Sequence, residues 1–159
     1  MHKVRAKSPA GSSSPSRLAA PYQGRSKPTN VALAASHVGL SARVIAVDDD
    51  DEGFRDALQR FLRTLALYVE AFPSGEEFLQ WNRMDSVGCV ILDLAMPEMS
   101  GLEVQEQLAA RGLQIPIVFV TAHGAEQLGQ PSAAGALAVL RKPVDHDELV
   151  RLVREALGR

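Results

Sequence analysis

The 159-residue chain lacks several features that mark specialised classes of protein. Its one cysteine, Cys89, can form no disulfide within the chain, which is consistent with a reducing compartment. No apolar run approaches the ~18–20 residues of a membrane-spanning helix. The basic N-terminus also has no apolar core of the kind that secretory signals carry. These absences favour a cytoplasmic protein with no membrane partner.

Acidic residues are missing from the first 42 positions, which hold six basic residues. This part is rich in Ser, Pro, Ala and Gly and shows no sustained apolar period, so we predict a disordered basic leader over residues 1–42. A basic arm with a function of its own is the alternative. Residues 43–159 carry 11 basic and 19 acidic residues, which gives no broad electrostatic surface for nucleic acid. We therefore expect no direct DNA binding by this chain.

Short apolar runs alternate with segments of helical periodicity from Arg43 onward. Parallel strands that are buried on both faces form such continuous apolar runs, so we predict one domain over residues 43–159. Its five predicted strands are Val44–Asp48, Leu67–Phe72, Gly88–Asp93, Ile115–Thr121 and Ala136–Leu140. Helices between them, on both faces of the sheet, give a parallel α/β fold.

The signals for helices differ in strength along the chain. Ser74 and Ser100 each precede a glutamate by three residues, which is capping-box spacing, and Asp145 is placed to cap the last helix. Residues 122–134 contain two glycines and a proline. Inside a helix a glycine costs ~1 kcal/mol and a proline ~3 kcal/mol. The fourth of the five helices should therefore be short, broken or mobile.

Polar side chains follow the predicted strands at the points where the strands end. Asp48–Asp51 follow the first strand, Asp93 ends the third, Thr121 ends the fourth and Lys142 follows the fifth. In open α/β sheets, ligands bind beyond the carboxyl ends of the strands. Clustered carboxylates repel one another unless a cation joins them, so we expect a site for a hard cation. Mg²⁺ takes oxygen ligands, and an aspartate can attack phosphorus to form an acyl phosphate.

Four motifs, in this order, carry a resemblance to a known family. They are Val-Asp-Asp-Asp-Asp-Glu-Gly-Phe-Arg at 47–55, Leu-Asp-Leu-Ala-Met-Pro-Glu-Met-Ser-Gly at 92–101, Val-Thr-Ala-His-Gly at 120–124 and Leu-Arg-Lys-Pro-Val at 140–144. Residues 43–159 resemble the receiver domain of a two-component response regulator of the FixJ type. The resemblance implies a doubly wound, flavodoxin-like sheet of five parallel strands in the order 2-1-3-4-5. We expect no output domain within the chain.

The resemblance also implies a phosphoacceptor and a metal site. Asp93 would accept the phosphoryl group. Asp50, Asp93 and the backbone carbonyl of Ala95 would hold Mg²⁺, or alternatively Mn²⁺, and Asp49 would contact the metal through water. The metal would offset the charge of the transferred group.

Further roles follow from the remaining motifs of the family. Thr121 would bind the phosphoryl group and move on activation, and Lys142 would pair with Asp93 or its phosphate. Pro143 would follow a cis peptide bond, since only X-Pro bonds adopt the cis form cheaply. Ala95 and His123 would tune the rate at which the acyl phosphate hydrolyses.

The sequence leaves two assignments open for the acidic pair. Counting back from Arg55 gives Asp49 and Asp50, whereas counting forward from Val44 gives Asp48 and Asp49. We favour the first, under which Asp48 occupies a strand end that is normally apolar. A carboxylate there costs stability unless it is exposed or paired.

These residues favour a phosphorylation switch rather than an enzyme. A sensor histidine kinase or phosphotransfer protein would be the donor, the output partner is unknown, and a homodimer is compatible with the family. One alternative is a pseudo-receiver that only binds partners, although the complete residue set opposes it. A phosphohydrolase of the haloacid-dehalogenase type is a weaker alternative, because its motif needs an aspartate where this chain has Ala95. The family's frequent aromatic three residues before the lysine is replaced by Val139.

Overall fold

The computed structural model describes residues 43–122 and 135–158, and the structural statements below refer to these residues. Five strands form one sheet in the order β2-β1-β3-β4-β5, and every neighbouring pair is parallel. The strands are β1 (Val44–Asp48), β2 (Val69–Phe72), β3 (Val87–Asp93), β4 (Ile117–Thr121) and β5 (Ala136–Arg141). The predicted flavodoxin-like fold and strand order are therefore confirmed. The predicted leader and the interrupted segment from His123 to residue 134 lie outside the described residues.

Within the described ranges, four α-helices cover the two faces of this sheet. They are α1 (Glu52–Thr64), α2 (Gly75–Gln80), α3 (Gly101–Ala110) and α4 (His146–Ala156), with a 3₁₀ turn at Met84–Ser86. Buried side chains of α1 and α4 share one apolar cluster with β1 and β3, and those of α2 and α3 share the cluster on the opposite face. None of the described helices is long and apolar enough to cross a bilayer.

Side-chain caps fix where the helices begin. The hydroxyl of Ser100 accepts the N–H of Glu103 at 3.3 Å, and the Glu103 carboxylate accepts the N–H of Ser100 at 2.8 Å, which completes the predicted capping box. The side-chain oxygens of Ser74 and Asp145 cap α2 and α4, since each accepts the N–H three residues ahead. Each such cap contributes about 1 kcal/mol.

Two strands begin later than the apolar pattern suggests. Ala66 has a positive φ of 58°, and the N–H of Leu67 donates back to the carbonyl of Leu62 at 3.4 Å. Leu67 therefore belongs to the exit from α1 rather than to β2. Before β4, Pro116 has no N–H to give to a strand ladder, although its carbonyl accepts from Val90 at 2.9 Å.

The registers of the strands align their polar ends. Asp48 lies opposite Leu92, so the residues that follow these two, Asp49 and Asp93, lie level with each other. On the other side of β3, Asp93 lies opposite Val120, one residue before the end of β4. The aspartates and the end of β4 therefore lie at the same edge of the sheet.

Candidate functional site

Three carboxylates meet at the carboxyl edge of the sheet. Asp49, Asp50 and Asp93 each place an oxygen within 4.8 Å of the others. Asp49 and Asp93 are buried, with 0% and 5% of their surface exposed, whereas Asp50 faces solvent. This grouping favours Asp49 and Asp50 as the acidic pair over Asp48 and Asp49, and the metal roles of these residues remain predictions.

The side chain of Asp93 is held through both of its oxygens. Oδ1 accepts the N–H of Ala95 at 3.0 Å, and Oδ2 lies 3.3 Å from Nζ of Lys142. The start of α3 packs directly on the Asp93 backbone, where a Cβ at Gly101 would collide with the Asp93 carbonyl oxygen. Only glycine fits that approach, which explains its place at the head of α3.

Lys142 places its ammonium between the two buried carboxylates of the site. Its Nζ lies 2.7 Å from Oδ2 of Asp49 and 3.3 Å from Oδ2 of Asp93, and its backbone N–H donates to the Thr121 carbonyl at 2.8 Å. Burial alone would lower the pKa of this ammonium, but the hydrogen bond and charge of Asp49 and the charge of Asp93 together raise it. Lys142 is therefore charged at neutral pH. The peptide bond between Lys142 and Pro143 is cis.

Burial has the opposite effect on the carboxylate that faces Lys142. It raises the pKa of Asp49 above its ordinary value, although the hydrogen bond from Lys142 and the N–H of Asp51, at 2.9 Å from Oδ1, oppose the shift. Asp49 thus depends on its cationic neighbour to remain ionised.

Thr121 ends β4 as a buried residue at the same edge, 2% exposed. It is paired with Arg141, so the chain brings Lys142 next to it one residue later. Ala95 follows Asp93 by two residues in the loop before α3, and its side chain is exposed. His123, the other predicted tuning residue, lies outside the described residues.

Asp48 stands apart from this cluster. Side chains alternate along a strand, so Asp48 shares the face of Ala46, toward α2 and α3, rather than the site. It is fully buried, and neither of its carboxylate oxygens has a hydrogen-bond partner among the described residues. Burial, with the charges of Asp49, Glu76 and Asp93, raises its pKa to about 8. The expected anomaly at this position is therefore a buried carboxyl that is neutral at pH 7.

Three residues near the site make contacts that the sequence analysis did not assign to them. Asp51 caps α1 by accepting the N–H of Phe54 at 3.0 Å. The Arg55 guanidinium donates to the Asp49 carbonyl at 2.6 Å, and the ring of Phe54 lies beneath Lys142. Only the first had a sequence signal, since aspartate before a helical stripe is a typical N-cap.

The donor set suits a small hard cation. Oxygen ligands of one Mg²⁺ lie about 2.1 Å from the ion, and so at most about 4.2 Å from each other. The three carboxylate oxygens lie within 4.8 Å of one another, which is close to that limit. Among the described residues, Lys142 is the ammonium that pairs with Asp49 and Asp93, and one such charge does not balance three carboxylates, so a divalent ion would relieve their repulsion.

The comparisons with known proteins agree with this site and fold. The profile of the response regulator receiver domain matches residues 44–154. The chain belongs to this family. The response regulator protein TodT of Pseudomonas putida is 42% identical over 122 residues, which cover 76% of this chain and 54% of TodT. The transcriptional regulatory protein FixJ of Azorhizobium caulinodans is 34% identical over 116 residues, or 72% and 55% of the two chains.

A solved receiver-family structure matches over nearly its whole length. The response regulator TrrA from Thermotoga maritima, in complex with Mg(2+)-BeF, is 30% identical, with a TM-score of 0.64 over 72% of this chain and 99% of that one. The chain spans about half the length of the curated relatives it matches. These relatives are bacterial response regulators, which are signalling proteins rather than classical enzymes, and the predicted membership of the receiver family is confirmed.

Proposed function

We propose that this receiver domain accepts a phosphoryl group on Asp93 and acts as a switch in a phosphorelay. The observation that carries the proposal is the state of Asp93, a buried carboxylate with one oxygen fixed by the Ala95 N–H and the other 3.3 Å from the Lys142 ammonium. Its carboxylate oxygen would attack phosphorus as the bond from phosphorus to the donor's histidine nitrogen breaks. An acyl phosphate forms, and the electron pair leaves with the imidazole.

The surrounding residues have complementary roles in this proposal. Asp50, Asp93 and the Ala95 carbonyl would hold Mg²⁺, and Asp49 would contact it through water; the ion would supply positive charge to the transferred group. Mn²⁺ could replace it. Lys142 would pair with the phosphoryl oxygens that appear on Asp93, since it already lies beside that carboxylate. The Mg(2+)-BeF complex of TrrA supports the same chemistry here.

The later part of the proposed cycle concerns Thr121, Ala95 and His123. The Thr121 hydroxyl would bind the phosphoryl group from the neighbouring strand and change position with it. Ala95, with its small side chain, would leave space for an attacking water, and His123 would modulate the same hydrolysis. The added charge would then bias a two-state surface.

The partners are proposed at the level of class. A sensor histidine kinase or phosphotransfer protein would donate the phosphoryl group in the cytoplasm, and the output partner or a homodimer would read the switch. Because several curated relatives are transcriptional regulatory proteins, the output could concern transcription. This chain's acidic receiver domain would take part without binding DNA itself.

Intact-mass spectrometry after incubation with acetyl phosphate and Mg²⁺ tests the proposal. The wild type should gain one phosphoryl group, and EDTA should prevent the gain. Asp93→Asn should remove it. Asp48→Asn is the matched control, since it makes the same substitution at a buried aspartate that ends the adjoining strand, and it should still be phosphorylated. No adduct on the wild type would favour the pseudo-receiver instead.

A further inference from the structure

Among the described residues, the Lys142 ammonium lies near an aromatic ring as well as near two carboxylates. Its Nζ lies 4.2 Å from the centroid of the Phe54 ring. A cation within about 6 Å of an aromatic face is attracted by the negative face of the ring, and most strongly where water is excluded. The Lys142 side chain is only 16% exposed, so the contact is partly shielded from water.

The Phe54 ring has a fixed position relative to the acidic loop. The backbone N–H of Phe54 donates to the Asp51 carboxylate at 3.0 Å, which places Phe54 in the first turn of α1. The next residue, Arg55, donates its guanidinium to the Asp49 carbonyl at 2.6 Å. The ring itself packs against the apolar cluster beneath α1 and α4. Phe54 therefore cannot shift without disturbing the loop that carries Asp49.

The three neighbours of Lys142 differ in what happens to them during phosphorylation. In the proposed reaction, Asp93 would bind the metal and bond one of its carboxylate oxygens to phosphorus, and Asp49 would contact the metal through water. The Phe54 ring carries no formal charge, binds no metal and takes no phosphoryl group. Of these three attractions for the ammonium, that of the ring is the one that the reaction leaves unchanged.

We propose that Phe54 is a positioning residue that keeps the Lys142 ammonium beside Asp93 while the two carboxylates change partners. The inference rests on the proposed function, because it assigns to Lys142 the contact with the phosphoryl group. It predicts that the electron density of the ring, not only its shape, controls how readily the site accepts a phosphoryl group or its beryllofluoride analogue.

Fluorination of the ring separates electron density from shape. Phenylalanines with one, two and three ring fluorines at position 54 should weaken beryllofluoride binding and slow phosphorylation by acetyl phosphate step by step. The full series should reach about threefold to tenfold, the range of a partly desolvated cation–π contact. Tyrosine should retain most of the wild-type affinity and rate, and leucine should show the full loss.

Two controls make the result specific to Lys142. Phe61 lies on the same helix, but its ring stacks on His146 at 4.2 Å, so the same fluorinated series there should leave the rate unchanged. In a Lys142→Met background, the series at position 54 should have no effect.

In metal-free protein, the melting temperatures of Phe54→Leu, Lys142→Met and the double variant should show coupling between the two positions.

The outcomes distinguish this inference from the function on which it rests. A wild type that takes no phosphoryl group overturns the proposed function. A wild type that is phosphorylated normally, with a flat fluorination series, overturns only the role of Phe54. Independent melting temperatures for the two positions in metal-free protein would also overturn it, whatever the phosphorylation assay shows.

Discussion

Asp48 and Asp93 end neighbouring parallel strands and are almost equally buried, yet their environments differ. Asp93 has the Ala95 N–H and the Lys142 ammonium as partners. Asp48 has no hydrogen-bond partner among the described residues, and its pKa rises to about 8. Burial of a carboxyl is therefore not what makes a site. Partners that stabilise the ionised form decide whether the carboxyl can act as a nucleophile or a ligand.

The first test of this difference removes Lys142, the partner that Asp93 has and Asp48 lacks. Lys142→Met leaves Asp49 and Asp93 buried without their ammonium, and removing one member of a buried pair costs about 3 kcal/mol. We expect urea unfolding in EDTA to show a loss of this size. Mg²⁺ should restore much of it, since a divalent ion can take over the compensation.

A matched control for this loss lies on the surface. Arg60 pairs with Asp56 at 3.8 Å, but the side chains are 80% and 49% exposed. Arg60→Met should therefore change the free energy of unfolding little. Equal stability of wild type and Lys142→Met in EDTA would show that Lys142 is not needed to balance the two carboxylates.

The comparison can also be tested by removing the unpartnered carboxyl. The ordinary pKa of Asp48 is 3.8, and the folded-state value is about 8. Between these values the folded protein holds a proton that the unfolded chain has released, so stability falls as pH rises from about 4 to about 8. Asp48→Val should remove the part of this fall that Asp48 causes, leaving that of Asp49, whose pKa burial also raises, and should stabilise the metal-free protein at pH 8 by about 2–5 kcal/mol.

An amide at the same position separates the charge from the missing hydrogen bonds. Asp48→Asn should reduce the pH dependence by the same amount, but it should gain less stability than valine because a polar group stays buried without a partner. Urea unfolding of the three proteins at pH 5, 6, 7 and 8 in EDTA measures both effects. Parallel pH profiles for wild type and Asp48→Asn would contradict the raised pKa of Asp48.

Much of the fold could be predicted because its signals are local. Apolar runs mark β1 and β3, serine caps mark α2 and α3, and each signal lies within a few residues of the element it defines. The strand order followed from the family resemblance rather than from those patterns. The late starts of β2 and β4 were missed, since an apolar residue beside a turn or a proline looks like part of a strand.

The candidate site was less accessible to local reasoning. Four consecutive aspartates carry no signal of their own that selects two of them. The pairing of Asp48 with Leu92 makes Asp49 level with Asp93, and that register is a property of the sheet. The contact between Phe54 and Lys142 joins α1 to the end of β5, so Phe54 could be read from sequence only as one more apolar residue in a helical stripe.

The smallest expected effects separate the role of Asp51 from that of its neighbour Asp50. Asp51 caps α1 but lies outside the cluster of three carboxylates. Asp51→Ala should lower the free energy of unfolding by about 1 kcal/mol, and Asp51→Ser should restore it, because serine is also a good N-cap. Neither change should weaken Mg²⁺ binding, measured by calorimetry. Asp50→Ala should do the reverse, with weaker Mg²⁺ binding and an intact helix. Loss of Mg²⁺ binding in Asp51→Ala but not in Asp50→Ala would move the metal site one residue along the run.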